Sequence, residues 1–280
     1  MPLKLMYLTS DPTVAVLAER AGVDRIFLDL ELRGKEARQK NMDTVISHNS
    51  LSDVAKLRAV LTKAELLVRV NSLYDGSKAE IDRAARDGAD VVMLPYFKTA
   101  REVSDFVSLC AGRVRTCLLF ETPQAVEQID EILSVPGIDE AHIGINDLHL
   151  GYKKTFMFEL LADGTVERIC RKFAEYGLPY GFGGVGRPGT QVALPAERIL
   201  AEHYRLGSGQ VILSRAFCDV SKLADRSGLA ADFQAGVRAV RACEEKCAAL
   251  SEQEQRENHA AVQEIVRMIV EKIQAAKELG

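Results

Sequence analysis

Leu118-Leu-Phe-Glu-Thr-Pro-Gln124 joins two patterns in one short stretch. The run that leads into it, Val114-Arg-Thr-Cys-Leu-Leu-Phe120, is β-rich and apolar, and reads as a buried strand. Glu121 closes that strand. Pro123 then opens a helix, because the first helical position needs no N–H and suits the fixed φ of proline. A strand buried on both faces that passes straight into a helix is the repeating unit of a parallel sheet. The acid at its end is what the core alone does not explain.

The same unit recurs along the chain. Leu3–Leu8, Arg25–Leu30, Leu66–Asn71, Val91–Pro95, Arg115–Glu121, Glu140–Ile145, Pro179–Gly184 and Val211–Phe217 read as eight strands. Helical patterns fall between them, at about 12–21, 78–87, 99–110 and 123–134. Eight such units in roughly 220 residues predict a (β/α)8 TIM barrel. A doubly wound sheet is the alternative, but no GxGxxG follows the first strand. The barrel is expected over residues 1–235. Residues 236–280 form a charged, proline-free helical tail, interrupted at Ser251. Val262, Ile265, Val266, Ile269, Val270 and Ile273 give that tail one apolar stripe. The stripe covers either the barrel's own flank or a neighbouring subunit.

Composition narrows the function. With 280 residues, 47% hydrophobic content and a net charge of -4, the chain has a large core and no basic block for nucleic acid. No run of 18 apolar residues suggests a membrane span. The N-terminus does not read as a signal peptide, so a cytoplasmic location is expected. The six cysteines are scattered and form no CxxC pair, which predicts reduced thiols. Cys243 and Cys247 alone are poor zinc geometry.

In a TIM barrel the active site lies at the carboxyl ends of the strands. The polar residues there are Asp29 and Glu31 after strand two, Arg69 and Asn71 on strand three, Glu121 on strand five, Asp147 after strand six and Arg215 on strand eight. Glu121 and Asp147 belong to consecutive units. Unpaired, two carboxylates at adjacent strand ends repel, and one holds a proton. A divalent cation resolves this, and so do salt bridges to Arg69 or Arg215, or capping of a helix by Asp147. Spacing leaves these readings open.

Five ordered stretches carry a resemblance: FLDLE (27–31), VRVN (68–71), GADVVMLPYFKTAREV (88–103), FETPQA (120–125) and VPGIDEAHIGINDL (135–148). Together they resemble the class II pyruvate aldolase and citrate lyase β-chain family, which includes hydroxy-oxo-heptanedioate aldolase. The resemblance spans about residues 10–220. It implies a (β/α)8 barrel in a homotrimer or homohexamer. It implies a divalent metal (Mg²⁺, Mn²⁺ or Co²⁺) held by Glu121 and Asp147, and pyruvate bound through its carboxylate by Arg69. The activity implied is cleavage or formation of a 2-keto-3-deoxy sugar acid or related hydroxy-oxo acid, with an aldehyde or sugar acid as the second partner. An acyl-CoA lyase of the citrate lyase type and a non-catalytic binding barrel are the alternatives.

The chain departs from the family at two points. Leu32 stands where histidine often follows the acidic pair, and Leu119 stands where glutamine often precedes the metal glutamate. The expected catalytic set is therefore Arg69, Glu31, Asp29 and His48, with His149 as a second histidine to consider. The segment Arg33–Asn49 is rich in charge and would overhang the mouth, where it could capture an anionic substrate. GFGGVGRPG (181–189) places Gly184 beside a ligand, and Arg215 is expected to bind substrate with it. Ser50-Leu-Ser-Asp53 reads as a helix cap.

Overall fold

The computed structural model describes residues 2–32, 49–218, 220 and 228–278. His48 and the charged segment 33–48 lie outside the described residues. Eight parallel strands close into one barrel in sequence order, β1 against β2 and so on, with β8 returning to β1. They are β1 Lys4–Leu8, β2 Arg25–Asp29, β3 Glu65–Arg69, β4 Val91–Leu94, β5 Arg115–Phe120, β6 Glu140–Ile143, β7 Tyr180–Val185 and β8 Gln210–Leu213. This is the (β/α)8 barrel that the sequence predicts.

Alternation along each strand divides two cores. Met6, Phe27, Leu67, Val91, Met93, Cys117 and Leu119 fill the inside of the barrel. Their neighbours, such as Leu5, Ile26, Leu28, Leu66, Val68, Val92 and Leu118, face outward and pack under the helices. At the amino end of the strands the interior is sealed by charge. Arg25, wholly buried, donates to Glu140 at 2.6 and 3.1 Å and to Glu65 at 2.7 and 3.0 Å. Lys4 and Arg115 also reach Glu65.

Several element ends differ from the expectation. Strands six and eight stop earlier: Ile145 already belongs to a helix, Ile145–Gly151, and Arg215 sits in a turn beyond β8. The helix expected at 123–134 is two, Pro123–Glu127 and Ile129–Leu133, which meet at Gln128 with φ −102 and ψ 23. Asp53 accepts from the Ser50 N–H at 2.8 Å, just ahead of the helix Ser52–Arg58.

The tail is two helices, Leu229–Ala248 and Glu252–Glu278, parted around Ser251. The first packs on its own barrel: Phe233, Val237 and Val240 are buried, and Glu244 accepts the Leu3 N–H at 2.6 Å. The second lies against the helix Ala196–Arg205, burying Val262 and Val266. Asn258 and His259 pin it there through Glu202, at 3.0 Å each. The stripe through Val266 thus covers the barrel's own flank. Beyond it, Ile269, Val270 and Ile273 are half-buried.

Candidate active site

Inward positions that carry apolar side chains deep in the barrel carry polar ones at its carboxyl end. On β2 the inward series Phe27, Asp29 ends in acid, and on β3 the series Leu67, Arg69 ends in base. Asp29 and Arg69 are register partners on adjacent strands. The guanidinium meets the carboxylate fork to fork: Nε donates to Oδ1 at 2.9 Å and Nη2 to Oδ2 at 2.8 Å. Nη1 stands 3.5 Å from Oε2 of Glu31. The guanidinium carbon lies 5.6 Å from the centre of the Phe27 ring, which forms its floor. Burial acts to lower the pKa of Arg69. The charges of Asp29, Glu31 and Glu121, with the hydrogen bonds to Asp29, reverse this and raise it. Arg69 is therefore a fixed cation shared among three carboxylates.

Asp29 and Glu31 are themselves held in place. The Glu31 N–H donates to Asp29 at 3.1 Å, and the side-chain amide of Asn49 donates to the Asp29 carbonyl at 2.8 Å. Asn71 braces the same turn. Its side chain accepts from the Leu32 N–H at 2.9 Å and donates to Glu80 at 2.7 Å. It therefore supports the turn rather than lining the mouth as a donor to substrate.

Glu121 follows the last residue of β5 and is 2% exposed. The three residues after Phe120 divide the work of the turn. Glu121 Oε1 accepts the Tyr96 N–H at 3.0 Å. Thr122 caps the Pro123 helix by accepting from the Ala125 N–H, and its hydroxyl donates to the Phe97 carbonyl at 2.7 Å. Pro123 starts the helix. The loop after β4 is thus tied twice to the loop after β5. Tyr96 adopts φ +53, a left-handed conformation uncommon for a tyrosine, and this aims its N–H at Glu121. Gly144, after β6, leaves the room on the other side. A Cβ there would stand 2.9 Å from both Cβ and Oε2 of Glu121.

Asp147 lies in the first turn of Ile145–Gly151 and is half-buried. Glu121 and Asp147 are hard oxygen donors. Among the described residues no group of three or more His, Cys, Asp or Glu side chains gathers as a metal site. A magnesium-like cation does not need one, since it is commonly held by one or two carboxylates, with water and substrate completing its shell. The donor chemistry and the room left by Gly144 fit such an ion.

The remaining expected residues surround this centre. Gly184 is on β7, where the pairing with β8 is irregular between Gly181 and Gly184, and a Cβ would come 3.3 Å from the Ile212 carbonyl. Arg215 is exposed, in the turn after β8. His149 is buried, with Nδ1 paired to the Asn146 carbonyl. Leu32 is 42% exposed at the rim, and Leu119 is buried inside the barrel. Tyr96, Thr122 and Gly144 were not anticipated. The sequence offered weak signals for two of them: a Thr-Pro helix start, and a glycine between two apolar residues after a strand.

The model of the HpcH/HpaI aldolase/citrate lyase family matches residues 4–166, more than half of the chain. No curated protein sequence matches the chain. Solved structures share its fold. An HpcH/HpaI aldolase from Desulfitobacterium hafniense DCB-2 superposes with a TM-score of 0.59 at 16% identity, covering 86% of this chain and 93% of its own. An HpcH/HpaI aldolase/citrate lyase family protein from Burkholderia cenocepacia J2315 gives 0.62 at 19% identity, covering 86% and 95%. The citrate synthase SbnG gives 0.58 at 17% identity, covering 84% and 95%. The barrel that sets Arg69, Glu121 and Asp147 at its mouth therefore belongs to the HpcH/HpaI aldolase/citrate lyase family, whose members are enzymes of the lyase and aldolase kind.

Proposed function

We propose that this chain is a class II, divalent-metal-assisted carbon–carbon lyase that cleaves or forms a hydroxy-oxo acid, of the 2-keto-3-deoxy sugar acid type, with pyruvate as one partner. The observation that carries the reading is the half-buried Arg69, fixed by Asp29 and close enough to Glu121 to feel its charge. It supports binding of a small 2-oxo acid by its carboxylate, next to two oxygen donors. Glu121 and Asp147 would hold the cation, which when bound supplies Lewis-acid polarisation of the 2-oxo carbonyl.

The chain's own residues do the rest. Asp29 occupies the Nε–Nη2 edge of Arg69, so the substrate carboxylate meets the guanidinium from the side of Nη1. Arg69 keeps its charge at every working pH and cannot act as a proton donor. Cleavage removes a proton from the substrate hydroxyl, and the electron pair of the broken bond passes into the 2-oxo system as a pyruvate enolate. A proton then returns to the methylene carbon. Asp29 spends both oxygens on the fork, which leaves Glu31 as the acid–base group on this side. Leu32 cannot contribute, so Glu31 carries a task that histidine often takes in the family.

Enolate formation needs no aldehyde, so it can be tested alone. Folded protein with Mn²⁺ should exchange the methyl protons of pyruvate with D₂O, followed by NMR. Glu121→Gln should slow exchange about a thousandfold, the loss of several kcal/mol of carbonyl polarisation. Exchange no faster than with free Mn²⁺ would remove the lyase reading and leave a binding barrel.

A further inference from the structure

The helix Leu229–Ala248, packed beside the helices Pro12–Ala21 and Ala196–Arg205, carries a pair of thiols. Cys243 and Cys247 are one turn apart, and Cys247 lies in the last turn. Both line a cavity of about 470 Å³ whose wall also includes Glu197, Arg198, Lys246 and Asn258. The two residues are 8% and 4% exposed, so each is sheltered yet opens on the cavity. Each thiol acts on the other, which pulls Cys243 below the ordinary thiol value and pushes Cys247 above it. Cys110 and Cys170 differ: burial pushes both up to about 12.

The spacing excludes two familiar uses of a cysteine pair. Residues four apart on a helix hold their Cβ atoms about 5–6 Å apart, whereas a disulfide needs about 3.5–4.5 Å. Zinc wants four ligands in a tetrahedron, and no third His, Cys, Asp or Glu completes a cluster among the described residues. A soft ion with two sulfur ligands requires neither. Two metal–sulfur bonds to such an ion bridge the gap left between adjacent turns.

We propose that Cys243 and Cys247 form a two-coordinate thiolate site for a soft monovalent cation of the copper(I) class. Thiolate selects such ions over hard ones. On binding, each thiol releases one proton and no electron is exchanged. The two thiolates and the ion leave one net negative charge, and Lys246 and Arg198 line the cavity to offset it.

The test uses reduced, full-length protein titrated anaerobically with Cu(I) against a chromophoric Cu(I) chelator. Wild type should withhold one equivalent. Cys243→Ser and Cys247→Ser should each weaken binding at least a hundredfold, while Cys218→Ser leaves it unchanged. X-ray absorption should show two sulfur neighbours. A readout on wild type alone guards against variants that misfold: one equivalent of Cu(I) should protect residues 243 and 247 from alkylation, read by mass spectrometry. Unprotected alkylation at those positions overturns the site, and so does a double Cys243→Ser, Cys247→Ser variant that holds copper as tightly as wild type. Equal protection by zinc overturns the two-coordinate assignment.

Discussion

Two arginines stand inside the same barrel at opposite ends, and they are treated differently. Arg25 begins β2 and Arg69 ends β3. Arg25 has no exposed surface and spends its guanidinium on two carboxylates, with Gln210 at 3.4 Å and the Met6 sulfur at 3.7 Å filling the remaining directions. Arg69 meets one carboxylate fork to fork and a second at 3.5 Å, beyond ordinary hydrogen-bond length. The first arrangement closes the barrel floor with matched charge. The second holds a cation rigidly while orienting it toward a mouth where an anion can arrive. Saturation fits a structural arginine, and an incompletely matched, braced one fits the site proposed for Arg69.

Breaking the floor should have the largest effect. Removing one partner of a buried ion pair strands the other and costs about 3–5 kcal/mol. Arg25→Leu leaves Glu140, whose side chain is 7% exposed, without its cation. Urea unfolding should show that loss, while pyruvate exchange per folded molecule stays near wild type. A cost under about 1 kcal/mol would mean that the floor is not a charge plug.

Breaking the mouth should do the reverse. Arg69→Lys keeps a cation beside Asp29 but loses the planar fork. Pyruvate should bind about a hundredfold more weakly, about 2.8 kcal/mol, with unfolding shifted by about 1 kcal/mol or less. Calorimetry with pyruvate reads the first and urea the second. If stability falls as much as it does for Arg25→Leu, the two arginines play one role and the contrast between them fails.

The contrast was half legible in the sequence. Polar residues at strand ends, Asp29, Arg69 and Glu121, stood out because the rest of each strand is apolar, and barrel topology says that the carboxyl end is the working end. The floor was overlooked for the same reason. Arg25, Glu65, Arg115 and Glu140 are all the first residues of their strands, where a charge looks like an ordinary solvent-facing start. Only closure of eight strands brings them onto one layer. Nor could the sequence tell that Asn71 points to Glu80 on the helix after its own strand, or that Tyr96 turns its N–H to Glu121 across the loops of two strands, because both depend on how the turns pack. The strand-to-helix punctuation was clear wherever proline or a capping residue fixed it, as at Pro12, Thr99 and Pro123. It was misplaced by a residue or more where apolar runs continued past the strand, as at Ile145 and Phe217.

Acid sharpens the comparison further. Burial acts to raise the Glu65 carboxyl, but Arg25 and the hydrogen bonds from Lys4, Arg25 and Arg115 hold it down at about 2. The floor therefore stays ionised through mild acid. Two histidines behave otherwise. Burial, with the nearby charge of Arg25, lowers His142 to about 4 despite its bond to the Gly183 carbonyl. Burial, with His142 as neighbour, lowers His203 to about 3. Both are neutral in the fold, whereas in the unfolded chain they protonate near 6.5. Between those limits the unfolded state binds more protons, so stability falls as pH drops from about 6.5 toward 4, by a few kcal/mol. Unfolding free energies at pH 7, 6, 5 and 4.5 should trace that slope, and His142→Gln should flatten it. A slope that begins only below about pH 5 would assign acid loss to the carboxylates of the floor.

The smallest effect isolates the backbone that serves Glu121. Tyr96 holds φ +53, and a left-handed conformation costs a side-chain-bearing residue about 1–2 kcal/mol. Its N–H is the group that reaches Glu121. Glycine and alanine at 96 both keep that N–H and both discard the ring, so the loss of packing is common to the pair. They differ in the strain, which alanine retains and glycine does not, and in the extra freedom glycine gains in the unfolded chain, worth about 0.4–1 kcal/mol the other way. Tyr96→Gly should therefore match Tyr96→Ala in stability or exceed it by up to about 1 kcal/mol, read from paired urea curves. Pyruvate exchange should stay within about threefold of wild type in both, because the donor to Glu121 survives. Should Tyr96→Ala prove the more stable, residue 96 is not held left-handed. Should both lose exchange, the ring of Tyr96, 5.7 Å beneath the Lys98 ammonium, is part of the working mouth and not only a carrier of its N–H.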